Sequence, residues 1–247
     1  MDRAGGSAAL EPNPERARHW ASRALDTWVC CSPAVTLTVA ADALWDHIVE
    51  EAVGIGSLSV DYEGLMRRLG RPRAAAQIGP ALLDALADRY RRQYPSCALY
   101  EFSQAGATYL FDLASDVGGP QEDRTVAVWT VTPPTVAKRD TAYQRGFPMR
   151  PGAEGASVDR GHVIPHLSGG EFGPNIFRQD RALNRGWSEP GKRYRALERE
   201  AARTAGTLYF AHLLYDDNSA YPTEIEIGLL RGDELYVERF DNRPYRT

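Results

Sequence analysis

Residues 159 to 162 read Asp-Arg-Gly-His, and Asn175, Asn184 and Glu198 follow at irregular intervals. No other stretch of the chain sets a candidate general base beside candidate hard-metal ligands in so few residues. Hydrolysing a phosphodiester near neutral pH needs a base to deprotonate water, a cation on the leaving oxygen, and positive groups on the phosphate. Histidine changes charge in the pH range the first task requires, so His162 is the candidate base. Gly161 before it allows the backbone to turn the imidazole into a cleft. Arg160 can contact phosphate or pin the loop to a neighbouring carboxylate. Asn184 and Glu198 offer oxygen ligands. A hard divalent ion such as Mg²⁺, with Mn²⁺ as its substitute, takes one or two of these plus several waters. A four-residue string arises by chance often enough that its surroundings must support it.

The surroundings are those of an ordinary globular protein. The chain has 247 residues, 43% hydrophobic and 25% charged, with a net charge of -4. That length allows one large domain or two small ones. Between Arg139 and Arg203 the sequence carries 12 Lys and Arg against 8 Asp and Glu, a local excess of +4 inside an acidic protein. Such an excess suits a phosphate-binding strip, and equally a solvated helix face. Cys30, Cys31 and Cys97 are too few for a disulfide framework and form no Cys-x-x-Cys pair. They point to a reducing, cytoplasmic location. No signal peptide and no membrane-spanning run is legible, so no membrane partner is expected.

The elements that must position the motif fall into two parts. Residues 1 to 13 have the Gly/Ala/Pro-rich composition of a disordered tail. Asn13 and Pro14 open a helix with apolar residues at Ala17, Trp20, Ala21, Ala24, Leu25 and Trp28, and a second covers residues 40 to 53. Ser59-Val60-Asp61 caps a short helix closed by Gly70, and a longer one follows with Ile78, Leu82, Leu86 and Tyr90 four apart. Short helix, glycine turn, longer helix is the shape of a helix-turn-helix. Tyr62-Glu63-Gly64-Leu65 with Leu69-Gly70 looks like its winged-helix variety, although most such pairs are packing units. After Pro95 come strand-like runs at Ala98–Phe102, Thr108–Leu113, Thr125–Thr132, Thr207–Tyr215 and Thr223–Phe240, the last turning at Arg231-Gly232-Asp233. A helix is expected from about Lys192 to Ala205. The fold class is α+β: a helical module over 14–94 and a mainly antiparallel sheet domain over 95–247. His19, His47 and His212 are taken as structural, and Tyr209, Phe210 and Tyr215 as core.

Asp159-Arg160-Gly161-His162 with Pro165, then Asn175-Ile176-x-x-Gln179, then Asn184-Arg185 and Trp187, resembles the DNA/RNA non-specific endonucleases of the ββα-metal (His-Me finger) group. The resemblance covers roughly residues 98 to 243. It implies a ββα-metal nuclease domain with His162 as general base, Asn184 as the direct Mg²⁺ ligand and Glu198 holding a metal-bound water. Asp159 and Gly161 would shape the site, and Asn175 and Arg185 would meet substrate. An upstream arginine on the scissile phosphate is matched by Arg139, ahead of Arg145 and Arg150. The chain departs from the family by an insertion at Ser188 to Arg193, which leaves Glu200 and Glu189 as alternatives to Glu198. Arg178 stands where proline is usual. His166 is an additional histidine that would share a face with His162 if the backbone there is extended.

These residues imply a metal-dependent endonuclease acting on DNA, RNA or both. Such an activity in a cytoplasm needs restraint by an inhibitor, an activator, an assembly partner or a dedicated export route, a role assigned to residues 14 to 94. A toxin and an antiviral defence effector both fit. The rival readings are a non-catalytic nucleic-acid-binding protein with a winged-helix reader and a degenerate nuclease fold, and a structural protein in which the motif is coincidence.

Overall fold

The computed structural model describes residues 59–118, 121–134, 157–171 and 173–244. The tail, the helices expected before residue 54, and Arg139, Arg145 and Arg150 lie outside the described residues. In chain order the elements are α1 (Tyr62–Arg68), α2 (Ala75–Gln93), β1 (Leu99–Gln104), β2 (Ala107–Asp112) and β3 (Arg124–Val131). Then come β4 (Val158–His162), β5 (Ile176–Asp180), α3 (Arg181–Arg185), α4 (Glu189–Arg203), β6 (Leu208–Leu214), β7 (Glu224–Arg231) and β8 (Glu234–Asp241). Two sheets form, one of six antiparallel strands in the order β1-β2-β3-β6-β7-β8 and one of two, β4-β5.

Asp61 starts α1 by accepting a hydrogen bond from the Gly64 N–H at 2.8 Å, which satisfies one of the orphan donors of a helix start. The turn after it passes through Gly70 at φ +76°, a conformation glycine adopts without steric penalty. Ile78, Leu82, Leu86 and Tyr90 of α2 are buried, as their spacing predicts. Strand alternation on β6 then separates two faces. Phe210 points toward the helices, its ring 5.4 Å from that of Tyr62. Tyr209 points the other way, its hydroxyl donating to the Val163 carbonyl at 2.8 Å just beyond β4. Helices therefore cover one face of the large sheet and the β4–β5–α3–α4 segment covers the other. Every residue of β6 is buried as a result.

The boundary expected near residues 93 to 97 is not a boundary of the core. One continuous hydrophobic cluster includes Val60, Leu65, Ile78 and Leu86 together with Tyr209, Phe210, Ile227 and Phe240. Gly79 lies so close to β3 that a Cβ there would overlap the Trp129 indole. Gly79→Ala gains about 1 kcal/mol of helix propensity but meets an overpacking penalty of ~1–3 kcal/mol. The expected net result is a loss of stability, read as a lower midpoint in urea; an unchanged or raised midpoint would show that β3 and α2 separate freely.

Polar groups also bind the helices to the sheet. Arg124 of β3 donates to the Tyr90 hydroxyl at 2.7 Å, and its guanidinium carbon lies 4.4 and 4.1 Å from the Tyr94 and Tyr215 ring centres. Tyr62 donates to Glu226 Oε2 at 2.5 Å, His212 Nδ1 lies 2.8 Å from the same oxygen, and Arg239 Nε reaches Oε1 at 3.1 Å. Burial disfavours the Glu226 carboxylate, yet the bonds from His212 and Tyr62 and the charge of Arg239 prevail and hold it down to about 2. Burial pushes His212 down, so the imidazole is neutral near pH 7 and donates its Nδ1–H to the carboxylate. A carboxyl held below its unfolded value stabilises the fold above that value and loses the contribution as pH falls toward about 2. Glu226→Gln should therefore destabilise by roughly 2–3 kcal/mol at pH 7. The deficit against wild type should shrink between pH 5 and pH 3, and a deficit constant with pH would contradict an ionised Glu226.

The winged-helix expectation needs a face of α2 free for a nucleic-acid groove. Its exposed residues are Ala76, Gln77, Pro80, Arg91 and Arg92, with Asp84 and Asp88 partly exposed between them and Asp88 lying 3.5 Å from Arg92 and 4.0 Å from Arg91, so the cations are confined to the last turn. Among the described residues no helix is long and apolar enough to cross a membrane.

Candidate active site

The motif strand β4 pairs with β5 so that Asp159 faces Gln179, Arg160 faces Arg178, Gly161 faces Phe177 and His162 faces Ile176. Alternation puts Arg160 and His162 on one side of β4 and Asp159 and Gly161 on the other. Gly161 sits in regular strand. The need it meets is for space, because a Cβ would overlap the Gln179 side chain. The turn-permitting role expected of it is corrected accordingly. Past Pro165 the chain coils into a 3₁₀ turn at His166–Ser168. The extended geometry that would have aligned His166 with His162 is absent.

A fully buried asparagine shapes the segment after the base. Asn175 Oδ1 accepts from the Ile164 N–H at 2.7 Å, and its Nδ2 donates to the carbonyls of Ile164 at 3.0 Å and Glu171 at 2.7 Å. These bonds fix which end of the amide is nitrogen. The same nitrogen lies 3.4 Å from His162 Nδ1. Both hydrogens of that nitrogen are taken by the two carbonyls, so the 3.4 Å approach is a packing contact that sets the Nδ1 edge of the ring against Asn175. His162 itself is 7% exposed. Asn175, expected at the substrate, lies inside the fold as the brace of the base.

The second cluster centres on Asp159. Its Oδ1 accepts from Arg181 Nε at 3.0 Å and an Arg185 terminal nitrogen at 3.1 Å. Its Oδ2 accepts from Arg185 Nε at 2.7 Å and from Asn184 Nδ2 at 3.2 Å. Partial burial works against the carboxylate, but the bonds from Arg185, Arg181 and Asn184 outweigh it and hold Asp159 below the usual carboxylate range. A carboxylate accepts and does not donate, so Asn184 must present Nδ2 to it, which keeps Oδ1 from that bond. An amide oxygen is a donor of the kind a hard cation takes.

Helix geometry assembles the third cluster. Asp180 caps α3 through the Leu183 N–H at 2.8 Å, while its own N–H donates to buried Asn242 Oδ1 at 2.8 Å. Asn242 also donates to the Arg178 and Pro222 carbonyls at 3.0 and 2.6 Å, fastening the end of β5 to the large sheet. Gly186 at φ +70° ends α3, and Ser188 caps α4 through the Gly191 N–H at 3.1 Å. With Pro190 in the first turn, α4 begins at Glu189, before the Lys192 start expected from the sequence. Arg195 of α4 donates to the Asn184 carbonyl at 3.2 Å and lies 3.7 Å from Glu198 Oε2, joining the two candidate metal residues. Tyr194, one turn before Glu198, faces Gln179; burial and then the nearby Glu198 charge keep its hydroxyl protonated. The alternative acids are engaged elsewhere. Glu200 holds Arg231 with two bonds of 2.7 Å, and Glu189 pairs with Lys192 at 2.5 Å.

Among the described residues no group of three or more His, Cys, Asp or Glu side chains could hold a metal ion. A Mg²⁺ site built from one amide oxygen, one carboxylate acting through water, and solvent does not require such a group. The Asn184 amide oxygen and the Glu198 carboxylate are donors of those two kinds, tied together by Arg195. Arg160 is half-buried opposite Arg178, whose charge is matched by Glu122 at 2.7 Å. Arg178 thus occupies its position as a tie to the loop before β3.

Sequence reasoning gave no role to Gln179, Tyr194, Arg181 or Arg195. Helical spacing could have found two of them, since Tyr194 and Arg195 stand four and three residues before Glu198. No family model matches this chain, and no curated protein matches it.

Proposed function

We propose that the β4–β5–α4 unit is the active site of a divalent-metal-dependent endonuclease that hydrolyses phosphodiester bonds of DNA, RNA or both. The observation that carries this reading is the Asp159–Asn184 hydrogen bond of 3.2 Å, which ties the candidate ligand side chain to the strand that bears the candidate base. Asn184 would hold the ion directly and Glu198 through water. The bound ion supplies positive charge that stabilises the leaving oxyanion. His162 accepts a proton from water as the water oxygen bonds to phosphorus, and the bond from phosphorus to the leaving oxygen breaks. Asn175, packed against the Nδ1 edge of the ring, positions the imidazole. Arg160, on the same side of β4 as His162, and Arg185, half-exposed and anchored on Asp159, supply positive charge for the phosphate. Arg139 is retained as the upstream phosphate contact and lies outside the described residues.

A nuclease of this type needs restraint, which fits a toxin or a defence effector held by an inhibitor or released by an activator. Residues 60 to 93 pack in the same hydrophobic cluster as the sheet, and residues 14 to 58 lie outside the described residues. Purified full-length protein incubated with plasmid and with total RNA should cut at least one of them in Mg²⁺ and neither in EDTA. Retention of nucleic acid without cutting in Mg²⁺ would replace the enzyme by a binding protein.

A further inference from the structure

We propose that Trp187 is a stacking platform for one nucleobase of a single-stranded substrate; the proposal rests on the nuclease reading. Trp187 is 64% exposed, the highest value among the large hydrophobic side chains described as exposed. Its backbone is nonetheless held on both sides. The Trp187 N–H donates to the Ala182 carbonyl at 2.9 Å, Gly186 before it ends α3, and Ser188 after it caps α4. The indole thus projects into water from a rigid corner between two helices, three residues from Asn184. Its neighbour Arg185 lies 5.0 Å from the ring centre and is itself fixed by Asp159 at 2.7 and 3.1 Å.

A rigid aromatic loses little conformational freedom when a second ring stacks on it. The charge around it selects the partner. Residues 181 to 203 carry seven Lys and Arg against three Asp and Glu, a balance of +4 in a chain whose net charge is -4. A polyanion bearing flat rings matches an indole beside that segment. Bases in a duplex are already stacked on each other, whereas those of a single strand are free to stack on protein. Any base can occupy such a platform, which suits a site that reads no sequence.

The test uses the full chain carrying His162→Ala, in Mg²⁺, with fluorescein-labelled oligo(dT), oligo(U) and a hairpin duplex followed by anisotropy. Adding Trp187→Ala should weaken binding of the single strands about 5-fold to 100-fold, the span measured for base–aromatic stacking. Trp187→Phe should retain most of the affinity, and duplex binding should change little. Unchanged single-strand affinity, or an equal loss for duplex, overturns the platform while leaving the nuclease reading intact. Absence of binding to every probe by the His162→Ala parent overturns both. A change of oligomeric state in Trp187→Ala, with nucleic-acid affinity unaltered, reassigns the indole to a protein contact.

Discussion

On the proposed nuclease reading, His162→Ala should lower phosphodiester cleavage by roughly 10²- to 10⁴-fold, the contribution of a positioned general base. The protein should remain folded, because the segment after the base is held by Asn175 through Ile164 and Glu171, and none of those bonds involves the imidazole. Circular dichroism and the urea midpoint check the fold; plasmid and RNA cleavage check the activity. The pH profile supplies the second readout. A protonated imidazole cannot accept the proton of water, so wild-type activity falls on the acid side, and that limb should vanish from the residual activity of the variant. Full cleavage by His162→Ala in excess Mg²⁺ would sink the mechanism.

Asp159→Asn acts on the other half of the site and leaves a different signature. Asp159 anchors Arg181 and Arg185 and fixes the orientation of the Asn184 amide. An amide in its place can accept at one atom only, so Asn184 loses the carboxylate that holds its Nδ2 and fixes its side chain. Groups that orient a metal ligand contribute about 10- to 100-fold in metal affinity or activity. The Mg²⁺ concentration for half-maximal cleavage should rise by about that factor, and saturating Mg²⁺ should recover much of the rate. His162→Ala should show neither response. The sign of the pH dependence follows from the depressed Asp159 carboxyl: its contribution stands above the ordinary carboxylate range and is lost only below it. The ratio of wild-type to variant Mg²⁺ requirement should therefore stay constant from about pH 9 to pH 5. A ratio that collapses within that range, or a Mg²⁺ requirement unaltered by the substitution, would remove Asp159 from the metal half of the site.

The six strands of the large sheet were legible because their residues are Val, Tyr, Phe, Leu and Ile bounded by turn formers. β4 and β5 were not. Val-Asp-Arg-Gly-His and Ile-Phe-Arg-Gln-Asp carry polar residues on both faces, since they pair with each other between the large sheet and α3–α4. Periodicity cannot register a strand whose side chains do chemistry on one side and ion-pair on the other. Asp159 was legible as a motif letter, but its bonds to Arg181, Asn184 and Arg185 span 22 to 26 residues and have no local signal. The same holds for His212, whose partner Glu226 is found only once β6 and β7 pair. What covers the first two described helices was hidden for a related reason. The stripe on α2 announces a buried face without naming what buries it, and the cover proved to be the sheet.

The bond from Tyr62 to Glu226 joins residues 164 positions apart, and α1 packs on β8, the last of the described strands. During synthesis the ribosome therefore releases α1, α2 and the whole of β4–α4 before the strands that complete their support exist. Contacts of such sequence separation fold slowly, because the entropy of closing the loop must be met before they form. A nascent chain carries its histidine motif into the cell long before it carries a finished core. The site segment is thus made before β6, β7 and β8, and it gains its full support only when those strands pair.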